Sequence, residues 1–570
     1  MWIGIASVAG AGAVVLFSSF EGTRDEGGAL PSGFAETAPP SSLPPWTAPV
    51  PTEDAAVEDE DPASFDGTEF FGVTGAQLDT SEFDITLYVD PASGSDQNPG
   101  TTPEERLASV TSALRIASDL RASGQGVRIL LAPGTYRETI RSGGDADDAP
   151  LLVIAAETPG SAIITGADSW TDWTWDSDAE AFVHAWPFNW DVAPDVEEIV
   201  GRRELIEVDD ELLMQVLEFG DLTDAAFFVD EEEERLYMRP PAGSSFPSLA
   251  AEVAVRPLLL EFDSVRNALV SGLVFTHAAN SLDATAVRIT NSDNVIFDRN
   301  DVVDNNWTGF GLSTSENITI SNNTINHNGG GGAGIFRPYN VLFTGNDTSY
   351  NNWRGLRGDY LGWSIAGVKS VRASHTAFHR HRAWGNHTRG LWLDYDISNV
   401  AVLDSSWCHN LTDGLFLEAT QGPVVVKNVE SCNNARYGML LVNLYEASIE
   451  DALICGNSVA QIHMDAEPGG REVETDEGVL TLSAALDLTF RSNVVSGKGP
   501  LLRVSISDKD FDLLRPTLDS DENAWYGDTP EDAFDLPSGL GGLEDWRTYS
   551  GHDLVSTWTA SVAADCSVRR

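Results

Sequence analysis

The chain has little positive charge. Of its 570 residues only 34 are Lys or Arg, against 88 Asp or Glu, a formal net charge of −54. Lysine occurs only as Lys369, Lys427, Lys498 and Lys509. Binding a phosphate backbone needs clustered cations, so nucleic acid is excluded as a partner, and an anionic membrane surface would repel the chain. Cysteine is also scarce. Cys408, Cys432, Cys455 and Cys566 form no CxxC motif and no close Cys/His set, so no zinc or other metal site is expected. Cys408, Cys432 and Cys455 recur at the spacing of the repeat described below. They read as a stacked row of buried thiols rather than a redox centre, with a disulfide between neighbours left open.

Long apolar runs are missing after residue 20. Residues 2–20, WIGIASVAGAGAVVLFSSF, carry no charge and read as a signal peptide or a single membrane anchor, the one tether to a membrane that the sequence offers. Residues 21–80 hold Pro39-Pro40, Pro44-Pro45 and the run Glu58-Asp59-Glu60-Asp61. That composition reads as a disordered acidic linker. An extracellular or cell-surface protein is the expectation, its oligomeric state open.

A strong repeat is present. NVIFDRNDVVDNN from Asn294, NITISNNTINHN from Asn317 and NVLFTGNDTSYNN from Asn340 follow one another at 23 residues. Asn386, Asn410, Asn434 and Asn457 continue at 23 or 24, with Asn305, Asn328 and Asn352 extending the row upstream. Gly367, Gly390, Gly414 and Gly438 each precede a short apolar strand, VKSV, LWLD, LFLE and MLLV. A period of this length without a leucine-rich signature predicts an all-β fold, a right-handed parallel β-helix, with the Asn side chains stacked at a turn. The Asn386 and Asn410 sequons are read as ladder positions rather than glycosylation sites. A helix over 103–123, with apolar Leu107, Val110, Leu114, Ile116 and Leu120, caps the first rungs of an N-terminal unit at 81–165. Residues 166–256, with Trp170, Trp173 and Trp175, read as a small inserted antiparallel β domain. The core then runs over 257–505, giving roughly ten rungs from residue 85, and 506–570 form a C-terminal cap. WRGLRGDYLGW at 353–363 lengthens one turn and is placed at a binding face.

In LWLD and LFLE, alternation turns Leu391, Leu393, Leu415 and Leu417 inward and Trp392, Asp394, Phe416 and Glu418 outward. Asp394 and Glu418 are one repeat apart. They should sit side by side, with backbones ~4.8 Å apart, at a repulsive cost of a few tenths to about 1 kcal/mol. Carboxyls ~5–5.5 Å apart suit a retaining glycosidase, one as nucleophile and the other as acid/base. The candidate sugar-binding set is Trp353, Arg354, Arg357, Asp359, Trp363, Lys369, Trp392, Asp396 and Phe416, with Tyr360 in the same loop. His379, His381 and His387 read as solvated or capping residues.

The stretch GLWLDYDISNVAVLDSSWCHNLTDGLFLEATQGPVVVKN, Gly390 to Asn428, resembles the catalytic region of glycoside hydrolase family 120, the β-helix β-xylosidases. The resemblance implies Asp394 as nucleophile, Glu418 as acid/base and an oligosaccharide or polysaccharide substrate without a cofactor. Tyr395 stands where that family has Trp, and Thr420-Gln421 precede Gly422-Pro423 where it has His. Two other readings stay open. One is a uronate lyase or epimerase using Lys369 or Arg389, with calcium as its cofactor. The other is a non-catalytic surface protein that binds carbohydrate.

Self-repulsion at a net charge of −54 is relieved by salt. The midpoint of thermal unfolding should therefore rise by several degrees as KCl is raised to molar levels. A flat midpoint would overturn the expectation of salt adaptation.

Overall fold

Alternating apolar residues build the coils. In the strands Arg389–Leu403, Leu415–Thr420, Tyr437–Val442 and Ala460–Asp465, Leu391, Leu415, Met439 and Ile462 stack in parallel register, as do Leu393, Leu417, Leu441 and Met464. All are almost fully buried. Each such side chain contributes about 1.5–3 kcal/mol on burial, and a one-residue slip would turn the whole column outward. The computed structural model describes residues 70–81, 83–190, 198–244, 246, 250–282, 284–356, 364–467, 469–475, 478–482, 485–560 and 566. The expected leader at 2–20 lies outside them. Among the described residues no helix is long and apolar enough to cross a membrane.

Successive rungs pair in parallel along three faces. Ile85–Val89 pairs with Val127–Leu131, which pairs with Leu152–Ala156. Leu152 then pairs with Ala268, Ile140 with Leu260 and Ala162 with Leu273. The chain thus leaves the stack after Ala162–Thr165 and resumes it one rung on. Between those points it forms a four-stranded and a five-stranded sheet. Their strand pairs are antiparallel except Met214–Val216 with Ala226–Phe228. Trp170, Trp173, Trp186, Phe188, Trp190 and Phe246 fill the core between them. The helix is Val110–Ala122, shorter than the sequence pattern, because Ser109 caps it by accepting from the Ser112 N–H. Its Val110, Ala113, Leu114 and Ala117 face the first rungs.

Three expectations change. Parallel pairing does not stop near 505: Asp519–Asp521, Ala524–Gly527 and Thr557–Ala560 extend the stack. Residues 70–78, assigned from composition to the linker, lie against the outside of the coil. Val73 is fully buried against the outward Leu342, Ala377, Ala401 and Leu403, and the N–H groups of Thr74, Ala76 and Gln77 donate to Asn340, Thr319 and Asn294. Outward apolar residues on those rungs supply the partner that composition did not reveal. The Asn row runs Asn305, Asn328, Asn351, Asn386, Asn410, Asn434 and Asn457. Asn351 holds the place that spacing assigned to Asn352, whose side chain instead closes the loop to Leu356.

Each ladder amide from Asn305 to Asn434 donates to the next Asn Oδ1, the last, Asn457, donates to Gln461 Oε1, and all are buried. Asn410 Oδ1 receives the Asn386 backbone and side-chain N–H groups, while its own Nδ2 donates to Ala383 O and Asn434 Oδ1. Asn410→Ala should orphan several buried groups at about 1–3 kcal/mol each. Chemical denaturation should show a loss of that order; an unchanged midpoint would remove the ladder from the stability of the coil.

Candidate active site

One face of the coil carries the carboxylate pair. The strands Ala366–Val371, Arg389–Leu403, Leu415–Thr420 and Tyr437–Val442 bring Val371, Asp394, Glu418 and Val442 into one column. Lys369, Trp392, Phe416 and Leu440 form the column beside it. The corner that follows differs in length from rung to rung. Val371 and Thr376 are separated by five positions and so are Val442 and Ala447, whereas Asp394–Val400 and Glu418–Val424 span six. The two acidic rungs thus each carry one extra residue, with a register shift between Asp394 and Ile397. Tyr395 and Asp396 both adopt positive φ there, 57° and 61°. Such bulges re-aim the side chain beside them.

The two carboxyls have different surroundings. Asp394 Oδ2 is 2.9 Å from Lys369 Nζ. Its other oxygen, Oδ1, is shielded from solvent and accepts no hydrogen bond from the protein. Glu418 accepts from Trp392 Nε1 at 3.1 Å. Burial, and then the charge of Asp394, push the Glu418 pKa up to about 7 against the pull of Arg471, Lys369 and Arg389.

Trp392 and Phe416 point outward as alternation requires, yet they are only 2% and 6% exposed. They stack at 5.2 Å and pack with Ala366, Tyr437 and Leu440 in a second apolar cluster outside the coil. Lys369 Nζ lies 3.6 Å above the Trp392 ring, and the Arg389 guanidinium lies 4.6 Å from it and 5.3 Å from Phe416. Asp413, fully buried, binds Arg389 at 3.3 Å and Arg436 at 2.7 Å. Burial opposes its charge, but Arg436 and then Arg389 hold its pKa below the usual range.

The sequence did not point to the hairpin Arg471–Thr475 and Gly478–Leu482, which follows the Asp465 rung. Val473 and Leu482 pack on Ala419, Tyr395 and Tyr445, and the Glu474 N–H donates to Tyr395 Oη at 2.7 Å. Arg471 is ion-paired with Glu467, and its charge acts on both Glu418 and Asp394. Its signal in the sequence was length alone, an excess in the turn after Asp465.

The structure brings Lys369, Trp392 and Phe416 of the candidate set to the carboxylates and puts Asp396 at the same corner, accepting from Gln421 Nε2. Arg357, Asp359, Tyr360 and Trp363 lie outside the described residues. Trp353 and Arg354 are committed elsewhere: Trp353 packs with Leu205, Ala254 and Ala279, while Arg354 donates to Gln215 Oε1, Glu204 O and Asn306 Oδ1. They join the coil to the segment at 204–215. His381 is not solvated. It is buried beside Thr348 Oγ1, and burial pushes its pKa down to about 3. The cysteines are disulfides, Cys408–Cys432 and Cys455–Cys566, rather than thiols. One repeat of separation sets Cys408 beside Cys432, and the last rung returns Cys566 to Cys455. Glu430 completes a ligand-like trio with Cys408 and Cys432, whose sulfurs are already bonded to each other.

Raising a carboxyl pKa in the folded state confers stability below its unfolded value, near pH 4.5, and loses it as pH rises through about 7. Gln at 418 still accepts from Trp392 and never ionises. Glu418→Gln should therefore match the parent at pH 4 and melt at a higher temperature at pH 8. Equal melting temperatures at both pH values would contradict the raised pKa.

Residues 283–454 match the family described as a right-handed β-helix region. No curated protein matches the chain. Among solved structures, the chain is similar to the complex of XylC with xylose, at 16% identity over 79% of this chain and 86% of that one, with a TM-score of 0.60. It is also similar to the A-module of the Azotobacter vinelandii mannuronan C-5 epimerase AlgE4, at 12% identity over 80% of this chain and 94% of that one, TM-score 0.43. A protein described as a glycoside hydrolase aligns at 13% identity over 83% of this chain and 99% of that one, TM-score 0.42. The family match, the parallel rungs and the likeness to the XylC structure establish the architecture, an all-β right-handed parallel β-helix.

Proposed function

We propose that this protein is an exported retaining glycoside hydrolase, β-xylosidase-like, acting on oligosaccharide or polysaccharide fragments, with Asp394 as nucleophile and Glu418 as acid/base. The observation that carries the reading is the unequal pair: Asp394 is ion-paired with Lys369, while burial and the Asp394 charge keep Glu418 protonated up to about pH 7. A carboxyl kept protonated beside a lysine-paired carboxylate is what a double displacement needs. The likeness to a protein solved with xylose makes xylosides the first substrates to try.

In the first step Glu418 gives its proton to the glycosidic oxygen as the bond to the anomeric carbon breaks. Asp394 attacks that carbon and forms a glycosyl ester. Lys369 occupies Oδ2, which leaves Oδ1 as the attacking oxygen. Oδ1 is shielded, so the groups above it have to part as the sugar enters. In the second step Glu418, now a carboxylate, takes a proton from water. The water oxygen attacks the anomeric carbon, and Asp394 leaves. Configuration is retained through two inversions. The bases that a lyase reading would use are engaged otherwise, Lys369 by Asp394 and Arg389 by Asp413.

Asp394→Ala should abolish turnover of every glycoside that the parent cleaves. Glu418→Ala should lose most on substrates with poor leaving groups, by about 10²–10⁴-fold, with azide partly restoring turnover as a glycosyl azide of retained configuration. In the parent, activity should fall along an alkaline limb near pH 7, where Glu418 loses its proton among Asp394, Lys369, Arg389 and Arg471. Full activity in either variant would remove the pair from catalysis, and a parent that cleaves no glycoside would favour a non-catalytic carbohydrate-binding surface. An unsaturated uronate product absorbing in the ultraviolet would favour a lyase.

A further inference from the structure

The hairpin at 471–482 follows one ridge of the coil. Arg372, Tyr395, Ala419 and Asn443 are the corner residues directly after Val371, Asp394, Glu418 and Val442, and all four adopt positive φ, between 49° and 57°. The hairpin engages each of them. Asn443 donates to Leu482 O at 2.9 Å and accepts from the Glu467 N–H at 3.1 Å. Ala419 packs under Val473 and Leu482. Tyr395 Oη accepts from Glu474 N–H, and Arg372 lies 3.8 Å from the Glu474 carboxylate. The hairpin therefore walls the carboxylate column along its corner side, with Arg471 at its base opposite Leu482.

Arg471 is not needed to hold that wall. Its ion pair is with Glu467, four residues away, and the two side chains are 36% and 42% exposed. Such a pair contributes little and is readily exchanged. Burial works against the Arg471 charge, yet Glu418, Glu467 and Asp394 together keep its pKa above the ordinary value, which puts the guanidinium in electrostatic reach of both carboxyls. Lys369 and Arg389 act on Glu418 as well. A chain of net charge −54 repels anionic sugars over most of its surface. Asp394 and Asp413 already engage Lys369 and Arg389, which leaves Arg471 as the cation with an exposed partner, and a planar guanidinium whose partner is a displaceable carboxylate matches a carboxylate ligand in two-point geometry.

We propose that the hairpin is the specificity wall of this site and that Arg471 binds a substrate carboxylate in place of Glu467, so that the sugar held between Asp394 and Glu418 is a uronic acid. The inference rests on the retaining-glycosidase reading above and puts a uronic acid in the place of xylose.

The test compares 4-nitrophenyl glucuronides and galacturonides of both anomers with the matching xylosides, glucosides and galactosides, in one buffer at one salt concentration, for the full chain. The parent should have the higher kcat/KM on a uronide. Arg471→Gln should lower the uronide-to-neutral ratio by about 10- to 100-fold, the range for a lost charged hydrogen bond, chiefly through KM. Glu467→Gln frees the guanidinium and should hold or raise that ratio. A fall of the ratio in Arg471→Gln without a fall in Glu467→Gln supports the proposal. Equal losses in both, on acidic and neutral substrates alike, would reduce the pair to a staple of the hairpin and overturn it. A parent that cleaves only neutral glycosides overturns the uronate assignment and leaves the glycosidase reading standing. A parent that cleaves none removes the glycosidase reading itself.

Discussion

Parallel hydrogen bonding between rungs sets the spacing from which the other features of this protein follow. Strands ~4.8 Å apart put equivalent residues of successive repeats in contact whatever their chemistry. For Leu391, Leu415 and Met439 that means a continuous core; for Asn386, Asn410 and Asn434 it means a buried amide ladder. For Asp394 and Glu418 it means two carboxyls held together against their own repulsion. The stack bears that repulsion because backbone pairing and the inward leucines on either side do not depend on the outward charge.

The same geometry converts repulsion into chemical difference. Neither carboxyl can move away, so the environment decides which one carries charge. Lys369, from the rung before, lies against Asp394 and over the Trp392 ring. Glu418 is bonded to the indole N–H, and burial works on it first. A one-residue bulge at the corner of each of these two rungs, and in neither neighbouring rung, is the local departure from regularity that goes with the pair.

Segments that depart from the repeat find partners on different parts of the coil. The hairpin at 471–482 lies along four corners, and residues 70–78 cover an apolar strip on another face. Trp353 and Arg354, in the lengthened turn, are spent on contact with residues 204–215 and 254 instead of on the carboxylates. A rigid coil sets where such excursions start, and the partners they find set their use.

Periodicity determined the coil, the inward and outward faces and the pairing of Asp394 with Glu418, because a side-chain period of two on rungs of 23 or 24 residues leaves one register in which the leucines are buried. The spacing even carried the bulges: Asn386, Asn410 and Asn434 are 24 apart, whereas Asn305, Asn328 and Asn351 are 23 apart. It could not choose Asn351 over Asn352, since a one-residue ambiguity at a turn is resolved only by which amide meets the ladder. Tertiary structure alone decided that Trp392 and Phe416 are covered, that His381 is in the core, that the cysteines pair as 408–432 and 455–566, and that the hairpin carrying Arg471 packs on Tyr395 and Ala419. Each depends on a contact between residues from different rungs or from outside the repeat. Such contacts arise from the path of irregular segments, and hydrophobic periodicity carries no information about that path.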